Sequence, residues 1–115
     1  MIRKKDECRK EIREQMRGGD GQVLITHIFE KDELLGRSRM FSSLTLEPGC
    51  SVGAHGHENE QEYFYVVKGS PLYCDDDEKI RLQEGDGTIC EDGHSHAIIN
   101  DTDETVVMIA CILLK

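Results

Sequence analysis

The stretch GAHGHENEQEYFYVVKG, from Gly53 to Gly69, sets His55 and His57 two residues apart, follows them with acid and amide side chains, and then turns aromatic and apolar. Alternate residues of an extended strand project to one face, so the two imidazoles would stand side by side while Gly56 faces away. That is the arrangement two histidines need to share one ion. Glu62 opens the run EYFYVV, with Phe64 and Val66 on its own face. A carboxylate at the head of a core-facing row is costly to bury unless it is paired or bound to metal. A third imidazole follows 34 residues after Glu62, where His96 precedes Ile98 and Ile99. Three imidazoles and one carboxylate make a mixed nitrogen and oxygen donor set suited to Mn, Fe, Co, Ni, Cu or Zn, with positions left for water or substrate. Thiolate ligation is not indicated. Cys8, Cys50, Cys74, Cys90 and Cys111 are odd in number, widely spaced and free of any CxxC pair, which argues against a disulfide framework or zinc ribbon and for buried thiols.

The elements that must carry these residues fall into two textures. Residues 3 to 17, RKKDECRKEIREQMR, read as a short helix or ordered arm laid on the body. Cys8, Ile12 and Met16 recur every four residues, Asp6 with Lys10 and Lys10 with Glu14 form opposite-charge i,i+4 pairs, and Gly18-Gly19 offers a stop. Beyond it, short apolar runs alternate with turn residues: QVLITHIF, RMFSSLTL, EYFYVV, LYC, KIRL, HAII and TVVMIACILL. Strands of this length between such turns predict an all-β sandwich or small barrel. The expected organisation is an N-terminal helix or arm over residues 1–19 and one barrel domain over 20–115. A chain of 115 residues has room for one hydrophobic core.

No apolar run reaches the roughly 18 to 20 residues of a membrane span, and the charged start MIRKKDECRK lacks the apolar stretch of a signal peptide. A cytoplasmic protein is therefore expected. With 14 basic against 23 acidic residues the formal charge is -9, which disfavours nucleic acid or an anionic membrane as partner and leaves room only for a local basic pocket.

The spacing around the histidines resembles that of the cupins, small β-barrels of the jelly-roll type. Their first motif is matched by Gly49, CSVGA, His55-Gly56-His57, ENEQ, Glu62, YFYVVK and Gly69. Their second is matched by Gly85, DGTIC, Glu91-Asp92-Gly93, HS, His96, AII and Asn100, with Glu91 in place of the motif proline. The resemblance implies a cupin jelly-roll barrel whose metal ligands are His55, His57, Glu62 and His96. It implies one divalent transition metal per chain, of the Mn, Fe, Ni or Zn class. The loss of proline leaves Asp92-Gly93 to make the turn before His96, with Glu91 facing solvent. His94 reads as a surface residue or a support for the site, His27 as a satisfied structural histidine, and Tyr73 as the best placed of the tyrosines for a pocket hydroxyl.

Fold alone does not choose among the activities that cupins carry. Oxalate decarboxylases resemble this chain in the metal motif but place an arginine three residues before the first histidine, where Val52 stands here. An oxalate enzyme would need Arg37 or Arg39 to take over, and a solvated strand face is the expected home of both. The basic cluster of a phosphosugar isomerase is not evident, and Glu58 and Glu60 qualify as general bases by position alone. The sequence thus points to a metal-dependent oxidoreductase or lyase acting on a small oxygen-bearing metabolite. The alternatives are a metal-anchored module that binds a sugar or carboxylate without turnover, or a sugar isomerase. The runs QVLITHIF and VVMIACILL lie outside the ligand motifs and suggest a sheet extended across a homodimer.

Overall fold

Ten strands, most of them built on apolar runs with period-two alternation, form in a computed structural model that describes residues 1–115. They are β1 (Arg9–Glu14), β2 (Gln22–Phe29), β3 (Ser38–Leu46), β4 (Ser51–Gly56), β5 (Glu60–Lys68), β6 (Leu72–Asp75), β7 (Glu78–Arg81), β8 (Gly87–Cys90), β9 (Ser95–Ile99) and β10 (Val106–Leu114). All pairings are antiparallel, in a six-stranded sheet ordered β1-β2-β3-β10-β5-β8 and a four-stranded sheet ordered β4-β9-β6-β7. This is the expected jelly roll, formed as two separate sheets rather than one closed hydrogen-bonded barrel.

The core lies between the sheets. Alternate residues Val23 and Ile25, Leu44 and Leu46, Phe64 and Val66, and Val106, Met108 and Ala110 point inward from the larger sheet, against Val52, Tyr73 and Ile98 of the smaller one. Cross-strand register aligns them in rows: Met108 sits opposite Leu44 and Val66, and Ala110 opposite Phe64. The next inward position places Glu62 opposite Ile112. The carboxylate therefore terminates an apolar row and faces the other sheet from the end of the core. Asn100, the last residue of the second motif, is fully buried and ties the opposite end of the core together, its amide donating to the carbonyls of Leu46 and Glu104 at 2.8 and 2.7 Å.

The N-terminal segment departs from the helix expected over residues 3–17. Single 3-10 turns at Lys5–Glu7 and Met16–Gly18 flank β1, which pairs with β2 from Arg9↔His27 to Glu14↔Gln22. A helix here would have had only Cys8, Ile12 and Met16 to bury, and short isolated helices are marginal in water. The exposed edge of β2 offers a ladder of unpaired backbone groups instead. The predicted pairs of Lys10 with Asp6 and Glu14 do not form; other charges of the segment pair instead, Arg13 holding Glu11 at 2.8 Å and Arg9 holding Glu30 at 3.0 Å. The segment is thus the ordered-arm alternative, as a sheet strand. The strand β8 was not anticipated at all, its GTIC run being too short and too weakly apolar to stand out.

The turn from β1 to β2 packs on β4. An added Cβ on Gly53 would lie 2.2 Å from the Arg17 carbonyl oxygen, and one on Gly19 would lie 2.3 Å from the Ser51 carbonyl oxygen. Only glycines permit so close a backbone approach. The Asp20 amide donates to Ser51 Oγ at 2.8 Å and the Ser51 amide to the Asp20 carbonyl at 2.9 Å, latching the turn in place. Register also slips at this point. Val52 faces Ile98 and His55 faces His96, so two residues of β4, Gly53 and Ala54, oppose one of β9. This bulge lets Val52 and His55, three apart, both point inward.

The five cysteines are unpaired, but only Cys90 is buried as expected; the other four are half-buried. No helix is long and apolar enough to cross a membrane. Gly53→Ala is expected to cost about 1–3 kcal/mol by overpacking. Gly87→Ala, whose added carbon would lie 3.6 Å from the Phe64 carbonyl oxygen, is expected to stay within about 0.5 kcal/mol of the parent. Equal denaturation midpoints for the two variants would contradict this packing.

Candidate metal centre

The bulged strand β4 delivers His55, and the residue just past its end delivers His57. Strand β9 supplies His96, and β5 supplies Glu62 from the opposite sheet. The turn that replaces the motif proline holds this register. The His94 amide donates to the Glu91 carbonyl at 3.0 Å across Asp92-Gly93, with Gly93 at φ +87°, which makes a type II turn. The Gly93 amide then donates to the His57 carbonyl at 2.8 Å, and the His57 amide to the His94 carbonyl at 3.1 Å. Glu91 is exposed, as expected from its type.

The four predicted residues converge: one ligand-type atom from each lies within 4.8 Å of the others. His57 Nε2 is 3.0 Å and His96 Nε2 2.9 Å from Glu62 Oε1, the two Nε2 atoms are 3.1 Å apart, and His55 Nε2 lies 3.8 Å from the same oxygen. The side chains of His57, Glu62 and His96 are 2%, 5% and 0% exposed, and that of His55 is 10% exposed, so the cluster opens toward His55.

The outward nitrogens decide what this cluster can do. His55 Nδ1 lies 2.8 Å from the Gly53 carbonyl oxygen, and His57 Nδ1 lies 2.6 Å from Glu60 Oε2. Carbonyl and carboxylate oxygens only accept, so both rings carry a proton on Nδ1 and turn an Nε2 lone pair inward. His96 Nδ1 lies 3.0 Å from the Tyr73 hydroxyl, and the ring is stacked on Phe64 at 5.0 Å between centroids and 13° between planes. Tyr73 thus supports a histidine rather than lining the cavity, and burial pushes its phenol pKa up. Inward lone pairs beside a buried carboxylate are mutually repulsive unless a cation lies among them. Their separations near 3 Å match adjacent corners around an ion bound at about 2.1 Å, so the donor set fits a transition metal.

The electrostatics carry the same stamp. Burial pushes the Glu62 carboxyl up, but the three imidazoles of His55, His57 and His96 around it outweigh burial and hold the group below the usual range. Arg39 grips Glu60 through two hydrogen bonds of 2.8 Å, bringing its pKa down to about 2. Arg39, Glu60 and His57 thereby form one chain of charge running into the cluster.

A cavity of about 90 Å³ opens on the His55 side, well below the roughly 300 Å³ at which drug-sized sites begin. His55, His57 and Glu62 form part of its wall, and Met16, Met40 and Ile112 the apolar part. Arg13, Arg17 and Arg39 also line it. Arg39 is exposed on its strand, as expected, and also borders the cavity. Strand β3 slips register against β10 between Met40 and Ser38, and Arg39 at this bulge stays exposed while its guanidinium reaches Glu60 at the cavity edge. Arg37 remains exposed. Glu60 is not the solvent residue that its loop position suggested, whereas Glu58 is exposed. His27 touches the cavity but is satisfied, with Nε2 2.9 Å from Glu11 and Nδ1 3.1 Å from Ser42 Oγ. His94 pairs with Asp76 at 2.7 Å on the surface. Arg13 and Arg17 were missed by sequence reasoning, since both precede the motifs and no spacing ties them to the ligands.

The comparisons with known proteins agree with this geometry. An "Oxalate-binding protein" of Thermotoga maritima is 32% identical over 114 residues, covering 99% of this chain and 94% of that protein. A solved Thermotoga maritima structure, named a predicted oxalate decarboxylase, superposes with a TM-score of 0.96 at 32% identity, covering all of both chains. KdgF from Halomonas sp. shares the fold, with a TM-score of 0.74 at 17% identity over 100% of this chain and 95% of that one. The family model for the cupin domain matches residues 42–112, which hold all four clustered residues, and so the chain belongs to the cupin family.

Proposed function

We infer that His55, His57, Glu62 and His96 hold one divalent transition-metal ion of the Mn, Fe, Ni or Zn class, and that the adjoining cavity takes a small dicarboxylate of the oxalate type. The observation that carries the metal is the fixed protonation of the outward nitrogens, which aims lone pairs at a shared point beside a buried carboxylate. The ion supplies Lewis acidity toward ligand oxygen atoms. The protein supplies the rest. Its three arginines give positive charge at the mouth in a chain of net charge -9, the methionines and Ile112 exclude water, and about 90 Å³ limits the ligand to a few heavy atoms. The names of the two Thermotoga maritima relatives support oxalate as the first ligand to test.

Binding without turnover is the reading we favour. Loss of CO₂ from an oxalate monoanion needs a proton delivered to carbon to give formate. The proton carriers beside the ligand set, His27 and Glu60, are each held by two partners. The enzyme reading rests on the relative named a predicted oxalate decarboxylase. With Mn, Fe, Ni or Zn loaded separately, oxalate is expected to bind saturably and to be recovered unchanged by mass spectrometry. Formate and CO₂ produced in a manner dependent on His55 and Glu62 would replace this reading with the lyase.

Metal retention should follow pH. Hydrogen bonding to Glu62 and, less strongly, Glu60 raises the His57 pKa against the effect of burial, whereas burial lowers that of His96. In the metal-free site His57 is thus easier to protonate than His96, and protons compete with the ion for these rings as pH falls. Elemental analysis is expected to show about one metal per chain near pH 7.5, with loss toward about pH 5. A His96→Ala variant should hold far less at either pH, and equal content in parent and variant would refute the ligand assignment.

The same chain is proposed to pair as a homodimer through the outer face of its larger sheet. Tyr65, Val67 and Ile89 are about half exposed there, beside half-buried Tyr63 on β5 and Ile109 and Cys111 on β10. A contiguous apolar face of this kind marks an association surface. Sedimentation is expected to give twice the 13.0 kDa chain mass, and Tyr65→Glu with Ile89→Glu to give the monomer. A monomeric parent at micromolar concentration would remove the dimer.

A further inference from the structure

Seven arginines serve this chain, and Arg3, Arg9, Arg13, Arg39 and Arg81 each hold a carboxylate. Arg17 and Arg37 make no side-chain ion pair or hydrogen bond, and of these two only Arg17 lines the cavity beside the ligand cluster. The positive charge at the mouth is thus unevenly available. Glu11 and Glu60 already neutralise Arg13 and Arg39, whereas the Arg17 guanidinium has its donors free.

The backbone beneath Arg17 is unusual. Its φ and ψ are 55° and 29°, and Gln15, two residues earlier, stands at 49° and 45°. Left-handed backbone disfavours a long side chain and favours glycine. The same turn already contains Gly18, Gly19 and Gly21, so glycine at 17 would serve the local conformation better. A strained residue persists where its surroundings over-determine it and its side chain serves a purpose. The surroundings here are the Asp20 to Ser51 latch and the contact of Arg17 and Gly19 with Gly53 and Ser51. They press the turn against β4 next to His55. A mobile surface arginine would need none of this.

We propose that Arg17 is the anion-recognition residue of the pocket: the strained turn holds its free guanidinium over the cavity to bind a carboxylate of the incoming ligand. The assignment rests on the dicarboxylate reading above and adds the residue that makes the pocket selective for an anion. A planar guanidinium matches a carboxylate in bidentate fashion, and a lysine reproduces the charge without the fork.

The test uses the full chain loaded with Mn and follows oxalate binding by calorimetry, metal content by elemental analysis and melting temperature. Arg17→Asn places a residue tolerant of left-handed backbone at the turn. It is expected to weaken oxalate binding at least tenfold, leave metal content at the parent level and leave the melting temperature unchanged or higher. Arg17→Lys should recover part of the lost affinity, and added salt should weaken the parent more than Arg17→Asn. Parental affinity in Arg17→Asn would overturn the role of Arg17 while leaving metal-anchored binding intact. Lower metal content or a lower melting temperature in both variants would also overturn it, since Arg17 would then support the fold or the metal. A metal-loaded parent that binds no oxalate would overturn the dicarboxylate reading itself, and this inference with it.

Discussion

The structure is organised around a set of lone pairs that cannot be left facing one another. Three imidazoles and a carboxylate converge at the end of an apolar core, with their outward hydrogen-bonding groups already committed. Glu62 occupies the position in the β5 row where the next apolar residue would stand, opposite Ile112. The core thus brings a charge to its own margin, and the two sheets meet there through polar contacts instead of methyl groups. Much of the surrounding detail maintains this meeting: the bulge at Gly53-Ala54, the type II turn at Asp92-Gly93 that bonds back to His57, and the Tyr73 and Phe64 contacts that set the His96 ring.

Outside the ligand set, the supports differ in kind, and the difference has chemical meaning. His55 leans on a neutral backbone carbonyl, His96 on a neutral phenol, and His57 on a carboxylate. A carboxylate partner raises the basicity of the ring it holds, so His57 is the strongest donor of the three. The Glu60 charge is in turn balanced by Arg39, which reaches it from the β3 bulge at the cavity edge. Donor strength at the centre is therefore tied to a residue on the cavity wall.

The ligand residues were legible in the sequence because they obey short-range rules. His55 and His57 share strand parity, Glu62 heads a core-facing row, and His96 precedes buried Ile98. Seven of the ten strands likewise announced themselves through apolar runs between turns. What escaped was whatever depended on register. Arg39 is exposed as alternation suggests, but its reach to Glu60 and the cavity depends on a bulge that no local pattern marks. The segment over residues 3–17 satisfied helical spacing and became a strand because the edge of β2 was open, a fact about the tertiary structure. Arg13 and Arg17 reach the pocket through that same strand and turn, so misreading the segment hid the cavity mouth as well.

The latch between the β1–β2 turn and β4 divides the pocket between two stretches of chain. The clustered histidines and Glu62, with Ile112, lie within 42–112, the part that the family pattern describes, while Arg13, Met16 and Arg17 of the first hairpin, with His27, Arg39 and Met40, come from ahead of it. The two parts meet through backbone contacts at Gly19 and Gly53, which demand little of the side chains around them. Inheritance can therefore treat them separately. A lineage can keep its metal and trade its appetite by rewriting the segments ahead of the motifs, and proteins with matching motifs need not share a diet.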